Sequence, residues 1–204
     1  ITIINCDVHG FTNGVNATNV SIINITGGNY SDNGPDQDTE NDNDGFNIFL
    51  YAISNFTISN VIISNPTESI NESGGGGGGP EGSAYGIKIL NSNNGILNNI
   101  TGNADAYDVG GGVYGIYVSN SSLINVTNSN IYGGSWTRGI TYANSKNGFI
   151  LNNNFSSSNY AIYIILNSTN NIIANNNATT VHSSGIVISS SASNNITNNY
   201  VYAI

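Results

Sequence analysis

The residues best placed to do chemistry lie in one stretch, SDNGPDQDTENDNDG at 31–45, where Asp32, Asp36, Asp38, Glu40, Asp42 and Asp44 gather six of the chain's twelve acids without one cation. Such a density of carboxylates is costly unless water or a cation neutralises it. Asp36, Asp38, Glu40, Asp42 and Asp44 stand at alternate positions before Gly45. That spacing can converge oxygen ligands on one hard cation, so the five form a candidate calcium loop. The glycine and bidentate glutamate of an EF-hand are not in register, and a solvated acidic loop is the competing reading. A second grouping, NADAYDVGGGVY at 103–114, sets Tyr107 and Tyr114 beside Asp105 and Asp108, an arrangement able to stack on a sugar. The chain has twelve tyrosines, however, so one beside an acid is expected somewhere. Trp136 in GGSWTRG, next to Arg138, reads as a cap on the core edge or a cation–π partner rather than as part of a sugar platform.

The elements that would position these groups come from an unusual composition. The 204 residues include 40 Asn, 25 Ser, 15 Thr and 25 Gly, 105 positions in all, against 3 Lys and Arg. A hydrophobic fraction of 38% suits one sizeable core. No apolar run approaches the ~18 residues of a membrane span, so direct membrane insertion is not expected. The net charge of −9 argues against nucleic acid as a partner, because phosphate needs clustered Lys and Arg. Cys6 is the single cysteine, which excludes an intrachain disulfide and a thiolate metal cluster and reads as a small buried apolar residue. The opening ITIINC reads as part of something longer.

An internal repeat organises the chain. Segments beginning YGIKILNSNN, YGIYVSNSSL, RGITYANSKN, YAIYIILNST and SGIVISSSAS align on Gly86, Gly115, Gly139, Ala161 and Gly185, with spacings of 29, 24, 22 and 24 residues. After each anchor comes apolar-x-apolar: Ile87 and Ile89, Ile116 and Val118, Ile140 and Tyr142, Ile162 and Ile164, Ile186 and Ile188. This is the period of a strand. A second apolar run follows about ten residues later, at Ile96-Leu97, Leu123-Ile124, Ile150-Leu151, Ile172-Ile173 and Ile196. Units this short cannot bury their own inward side chains and must stack on copies of themselves at the ~4.8 Å strand spacing. Asparagine suits the turns, since it tolerates left-handed backbone angles and its amide bonds the backbone. LNNN at 151–154, ANNN at 174–177 and TNN at 197–199 fall at equivalent points, where stacked amides can form ladders. The fold class expected is all-β, a parallel β-helix of about 22–24 residues per coil, one domain over 1–204 with insertions at 31–45, 65–85 and 103–114.

The aligned units resemble the right-handed parallel β-helix repeat family, which includes NosD-like periplasmic proteins, polysaccharide-degrading enzymes and large surface proteins of archaea and bacteria. The resemblance implies the handedness of the coil, and it leaves function to the site. Within that family NDNDGFNI at 41–48 resembles the asparagine-threonine-aspartate-glycine motif of polygalacturonases, which would make Asp44 a catalytic carboxylate. Inverting hydrolysis needs a second carboxylate at about 6.5–9.5 Å. The resemblance places it one coil on, where FTISNVIISNPTES has no Asp, and the Gly-His-Gly context is absent from His9 and His182. A lyase acting on polyuronates would want more than Lys88, Arg138 and Lys146 in so acidic a chain. A metal-delivery role of the NosD-like kind would want Met, Cys or clustered His, and there is no Met. No enzyme activity is expected.

Thirteen Asn-x-Ser/Thr sequons, among them the glycosylation candidates Asn16, Asn29, Asn55, Asn71, Asn120 and Asn167, point with the low charge to an extracellular or cell-surface glycoprotein, and an archaeal surface fits best. Several of these amides are expected to face inward as ladder members. The strand-like, uncharged ITII and NNYVYAI offer Ile3, Val201 and Ile204 for end-to-end stacking on further coils or a second copy. The reading is a structural or adhesive surface protein, a subunit of a filament, sheath, S-layer-type coat or adhesin shaft; the alternative is a protein that binds or cleaves a neutral surface glycan. Calcium at 36–44 would neutralise the clustered carboxylates, so millimolar calcium is expected to raise the melting temperature more than magnesium does, and chelator to reverse the gain. A melting curve indifferent to both would leave the solvated loop.

Overall fold

The computed structural model describes residues 1–11, 13–34, 44–66, 83–104, 112–134 and 136–204. Among them the chain forms strands and turns without a helix, in three wholly parallel sheets of eight, eight and seven strands. Sheet A runs from Thr2–Ile4 to Asn195–Thr197, sheet B from Val8–His9 to Tyr200–Ala203, and sheet C from Asn13–Thr18 to Ile186–Ile188. The chain visits A, B and C in turn, and each strand pairs with its equivalent one coil earlier and one coil later. This is a parallel β-helix.

The core consists of stacked columns set by register. Ile48, Ile87, Ile116, Ile140, Ile162 and Ile186 form one column of sheet C, and Leu50, Ile89, Val118, Tyr142, Ile164 and Ile188 the next. Sheet A contributes Ile25, Ile58, Leu97, Val126, Ile150 and Ile173, all fully buried. Here one sequence alignment shifts by two residues. Leu97 pairs with Val126, whereas Leu123 lies exposed with a φ of 56°, because it takes the left-handed position that Asn94 (φ 53°) holds one coil earlier, between the pairs Asn93–Ser122 and Gly95–Ile124. The anchor glycines are required where sheet B side chains crowd the bend into sheet C. A Cβ on Gly139 would lie 2.6 Å from the Ala161 carbonyl oxygen and 3.0 Å from Phe155 Cβ. One coil on, Ala178 replaces Phe155 in register, and the anchor is Ala161.

The asparagine triplets divide into three roles. In LNNN, Asn152 takes the left-handed conformation at φ 58°, Asn153 points inward and Asn154 points out; Asn175, Asn176 and Asn177 repeat the set. Asn153 Nδ2 donates to Asn176 Oδ1 (3.0 Å) and to the Val126 carbonyl (2.9 Å), while Asn176 Oδ1 also accepts the Asn153 main-chain N–H at 2.9 Å. Asn176 repeats these bonds to Asn199 and Ile150. A serine ladder, Ser92, Ser121, Ser145, Ser168 and Ser191, does the same at the turn from C to A, each hydroxyl accepting a main-chain N–H from the coil before. Among the described residues, sixteen of the 23 non-glycine positions with positive φ are asparagine, so turns account for much of the asparagine excess.

Two expectations are corrected. Cys6 is exposed, in the turn between Thr2–Ile4 and Val8–His9 rather than in a strand facing the core. None of the twelve sequon asparagines within the described residues is buried. The reason is the strand period: inward Asn153, Asn171 and Asn176 have core residues Phe155, Ile173 and Ala178 two positions on, where a sequon needs Ser or Thr. Outward Asn154 and Asn177 instead have Ser156 and Thr179 there.

Asn176→Ala would strip buried donors and acceptors on both neighbouring coils and is expected to cost about 2–3 kcal/mol. Asn175→Ala, which only forces a Cβ-bearing residue into left-handed geometry without the amide, should cost ~1 kcal/mol. Asn177→Ala, on the solvent side, should stay within about 0.5 kcal/mol. Denaturant unfolding of the three variants checks that order.

Candidate functional site

Register steps show where the coil is enlarged. Ile25 pairs with Ile58, 33 residues on; Ile58 with Leu97, 39 on; Leu97 with Val126, 29 on; later steps fall to 24 and 23. All three enlargements lie between sheet B and sheet C: after Asn29–Ser31 and before Gly45–Tyr51, after Ile62–Ser64 and before Ala84–Leu90, and after Thr101–Asn103 and before Val113–Ser119. The extra residues of all three coils therefore fall at one step of the coil, between a strand of sheet B and the strand of sheet C that follows it.

The outer face of sheet C carries two columns of large side chains. Register aligns Phe46, Tyr85, Tyr114, Arg138 and Tyr160 in one, and Phe49, Lys88, Tyr117, Thr141 and Tyr163 in the other. Tyr85 and Tyr114 stack at 4.9 Å with an interplanar angle of 11°, and Tyr117 meets their edges at 5.4 and 5.1 Å. Phe46 lies 4.7 Å from Phe49, and Tyr160 lies 4.6 Å from Tyr163. The bend at the anchor glycine turns two successive residues inward, as at Asn47 and Ile48, so the outward positions fall one before and two after the anchor. In sequence they are the quartets Tyr85-Gly-Ile-Lys88, Tyr114-Gly-Ile-Tyr117, Arg138-Gly-Ile-Thr141 and Tyr160-Ala-Ile-Tyr163. Period-two spacing describes the inward set, whereas these outward positions lie three apart.

Two of the chain's three cations stand in these columns. Lys88 forms an ion pair with Asp44 Oδ2 and lies 4.1 Å from the Tyr85 ring centre. Asp44 Oδ1 accepts the Ser83 main-chain N–H at 3.0 Å, so both carboxylate oxygens have protein partners. Arg138 Cζ lies 4.8 Å from the Tyr114 ring centre and 6.0 Å from that of Tyr163. Its Nε and Nη1 are buried and have no hydrogen-bond partner among the described residues. Burial pushes the Tyr85 and Tyr114 hydroxyls up; Asp44 adds to the shift at Tyr85, and Arg138 opposes it at Tyr114.

At the step from sheet B to sheet C of later coils, Trp136, Ser158, Asn159, His182 and Ser183 line a cavity of about 440 Å³. Trp136 is 66% exposed at a φ of 61°. It neither caps the core nor pairs with Arg138, whose aromatic partners are tyrosines. The buried Ser158 hydroxyl has no partner among the described residues, and Asn159 runs directly into Tyr160, the register partner of Arg138. Trp136 thus belongs to a polar-aromatic recess at the step from sheet B to sheet C, one residue before Tyr160 of the columns.

The other nominated residues are scattered. Asp36, Asp38, Glu40 and Asp42 of the calcium loop lie outside the described residues, as do Asn71, Asp105, Tyr107 and Asp108. Asn16, Asn55, Asn120 and Asn167 are exposed, and Asn29 is half-buried. Ile3 packs partly against the core, while Val201 and Ile204 are 52% and 74% exposed.

A family model described as "Right handed beta helix region" matches residues 81–204. No curated protein and no solved structure matches the chain.

Burial raises the hydroxyl pKa of Tyr85, Tyr114 and Tyr142, and Tyr30 is pushed up to about 12, chiefly by burial. The folded state holds these groups neutral, so the stability they contribute is complete below the ordinary tyrosine value of 10.0 and is lost as pH rises from there through the raised values. Denaturation midpoints are therefore expected to fall steeply above pH 10.0, with part of the tyrosinate absorbance appearing only on unfolding. Simultaneous titration of all twelve tyrosines in a folded chain would contradict these burial assignments.

Proposed function

Because this chain belongs to the right-handed β-helix family, we propose that it is the adhesive part of an extracellular surface protein that holds a glycan against the outer face of sheet C. One observation carries the reading: the tyrosine columns and the Trp136 recess adjoin the step from sheet B to sheet C, the step at which all three long connections occur. Sugar rings present an apolar C–H face and a rim of hydroxyls. Tyrosine matches both, with an apolar ring and a polar tip, and Asn159, Ser158 and Ser183 add hydrogen-bonding groups. Strand stacking repeats the columns every ~4.8 Å along the axis, so a repeating polymer meets the same chemistry at successive coils, and individually weak contacts sum. Asp44, the carboxylate nominated for catalysis, is engaged by Lys88 and Ser83, which favours holding over cleaving. The exposed sequon asparagines suit a surface location.

The test is retention of the whole chain on a glycan array, followed by affinity measurement. Tyr117→Ala with Tyr163→Ala is expected to weaken binding at least tenfold, about 1.4 kcal/mol, with the melting transition preserved. Tyr132→Ala, on the exposed side of sheet B, should leave affinity unchanged. Absence of any retained glycan, or retention indifferent to the sheet C tyrosines, would defeat the reading.

A further inference from the structure

We infer that the outer face of sheet A is a modification face, with N-linked glycans on Asn24, Asn125 and Asn195 that lie over the exposed apolar side chains between them. The inference shares only an extracellular location with the glycan-binding reading: it concerns another sheet, and a sugar bonded to the chain rather than bound by it. It starts from register. One outward column of sheet A runs Asn24, Thr57, Ile96, Asn125, Phe149, Ile172 and Asn195. Each asparagine in it opens a sequon, completed two positions on by Thr26, Thr127 or Thr197 in the neighbouring outward column. The three recur at every third coil, about 14 Å apart at the ~4.8 Å strand spacing, so glycans on all of them have room.

The side chains between these asparagines need a cover. Ile96 and Phe149 flank Asn125 in register and are 47% and 37% exposed, and Ile172 follows Phe149. Neither outward column holds a charged residue. A contiguous apolar strip with no charge beside it marks a surface that is covered. A sugar chain answers to that chemistry, with C–H faces for Phe149 and Ile96 and hydroxyls for water, and the sequon of Asn125 fixes it in the middle of the strip.

The amides separate these sequons from others. The Nδ2 atoms of Asn24, Asn125 and Asn195 make no hydrogen bond among the described residues and are not sealed from solvent. Asn125 Oδ1 accepts the Phe149 main-chain N–H at 3.1 Å, which holds the amide beside that ring. On sheet B the sequon asparagines Asn154 and Asn177 are adjacent in register, and their Nδ2 atoms donate along the column, to Asn130 Oδ1 at 2.8 Å and Asn154 Oδ1 at 2.9 Å. Glycans on both would stand one strand spacing apart, ~4.8 Å, which two sugar rings side by side do not fit. Attachment bonds the Asn Nδ2 to the anomeric carbon of a sugar carried on a polyprenyl phosphate or diphosphate. The C–O bond to the phosphate breaks, its electron pair leaves with the phosphate, and the amide gives up one proton; the transferring enzyme and its donor come from the cell.

The whole chain, secreted from a host with an N-linked oligosaccharyltransferase, would be mapped by glycopeptide mass spectrometry and melted beside the same chain from a strain lacking that enzyme. Asn24, Asn125 and Asn195 are expected to be filled, Asn154 and Asn177 never both filled on one molecule, and the melting temperature raised by about 2–4 °C over the bare chain. Phe149→Thr should shrink that gain while Asn125 stays occupied, and Tyr132→Thr, on the exposed side of sheet B, should leave it unchanged. Finding Asn24, Asn125 and Asn195 bare would overturn the inference, whatever the state of the other sequons, and needs no variant to fold. A gain indifferent to Phe149, or no gain at all, would overturn the packing of sugar on the strip. Bare sites in a chain that pairs through sheet A would assign the strip to a second copy instead.

Discussion

Every coil of this protein depends on its neighbours for the two things it cannot supply itself, a cover for its inward side chains and partners for its backbone. A strand of two to seven residues buries nothing alone, and a parallel strand has no hairpin partner next to it in sequence. Coil-on-coil stacking answers both needs at once, since the register that pairs the N–H and C=O groups also brings isoleucine over isoleucine. Burial of each such side chain contributes about 1.5–3 kcal/mol, and the columns repeat that gain along the axis. The demand for identical register at every step is the constraint under which the rest of the structure forms.

That constraint explains the composition. In a solenoid the turns stack as regularly as the strands, and their polar groups pass through an interior that water does not enter. Asn153, Asn176 and the serine ladder close those groups between coils with short side chains that carry no charge to desolvate. Lysine or glutamate at the same points would bring a charge with no room for a counter-ion. The few charged residues are confined to outer faces and insertions, and the abundant sequons are in part a by-product of outward strands that read Asn-apolar-Thr or Asn-apolar-Ser.

Regular stacking also turns a local feature into an extended one. An aromatic residue one position before an anchor glycine is a single exposed ring; on successive coils it becomes a column, with Tyr85 over Tyr114 at 4.9 Å. The insertions do not disturb this because they fall at the step from sheet B to sheet C, where the register on either side is kept. That step therefore joins a rigid, repeated platform to longer connections, the arrangement in which a scaffold commonly carries its binding groups.

The sequence by itself determined the solenoid, its coil length, the inward isoleucine columns and the positions of the three insertions, because each is written in local spacing that recurs along the chain. Period-two alternation after each anchor glycine suffices to place Ile87 over Ile116, and a triplet such as Asn152, Asn153 and Asn154 declares a turn wherever it occurs. Only the tertiary structure decided which residues meet across coils without sharing a period. The bend at the anchor reverses the alternation, so the outward Tyr114 and Tyr117 are three positions apart rather than two. The partners of Arg138 lie 24 residues before it and 25 after it, in Tyr114 and Tyr163. Trp136 gains its recess only when the turns containing Asn159 and His182 stack above it. These meetings depend on the exact length of each coil at one corner, a quantity that accumulates along the whole chain and appears only when the coils close.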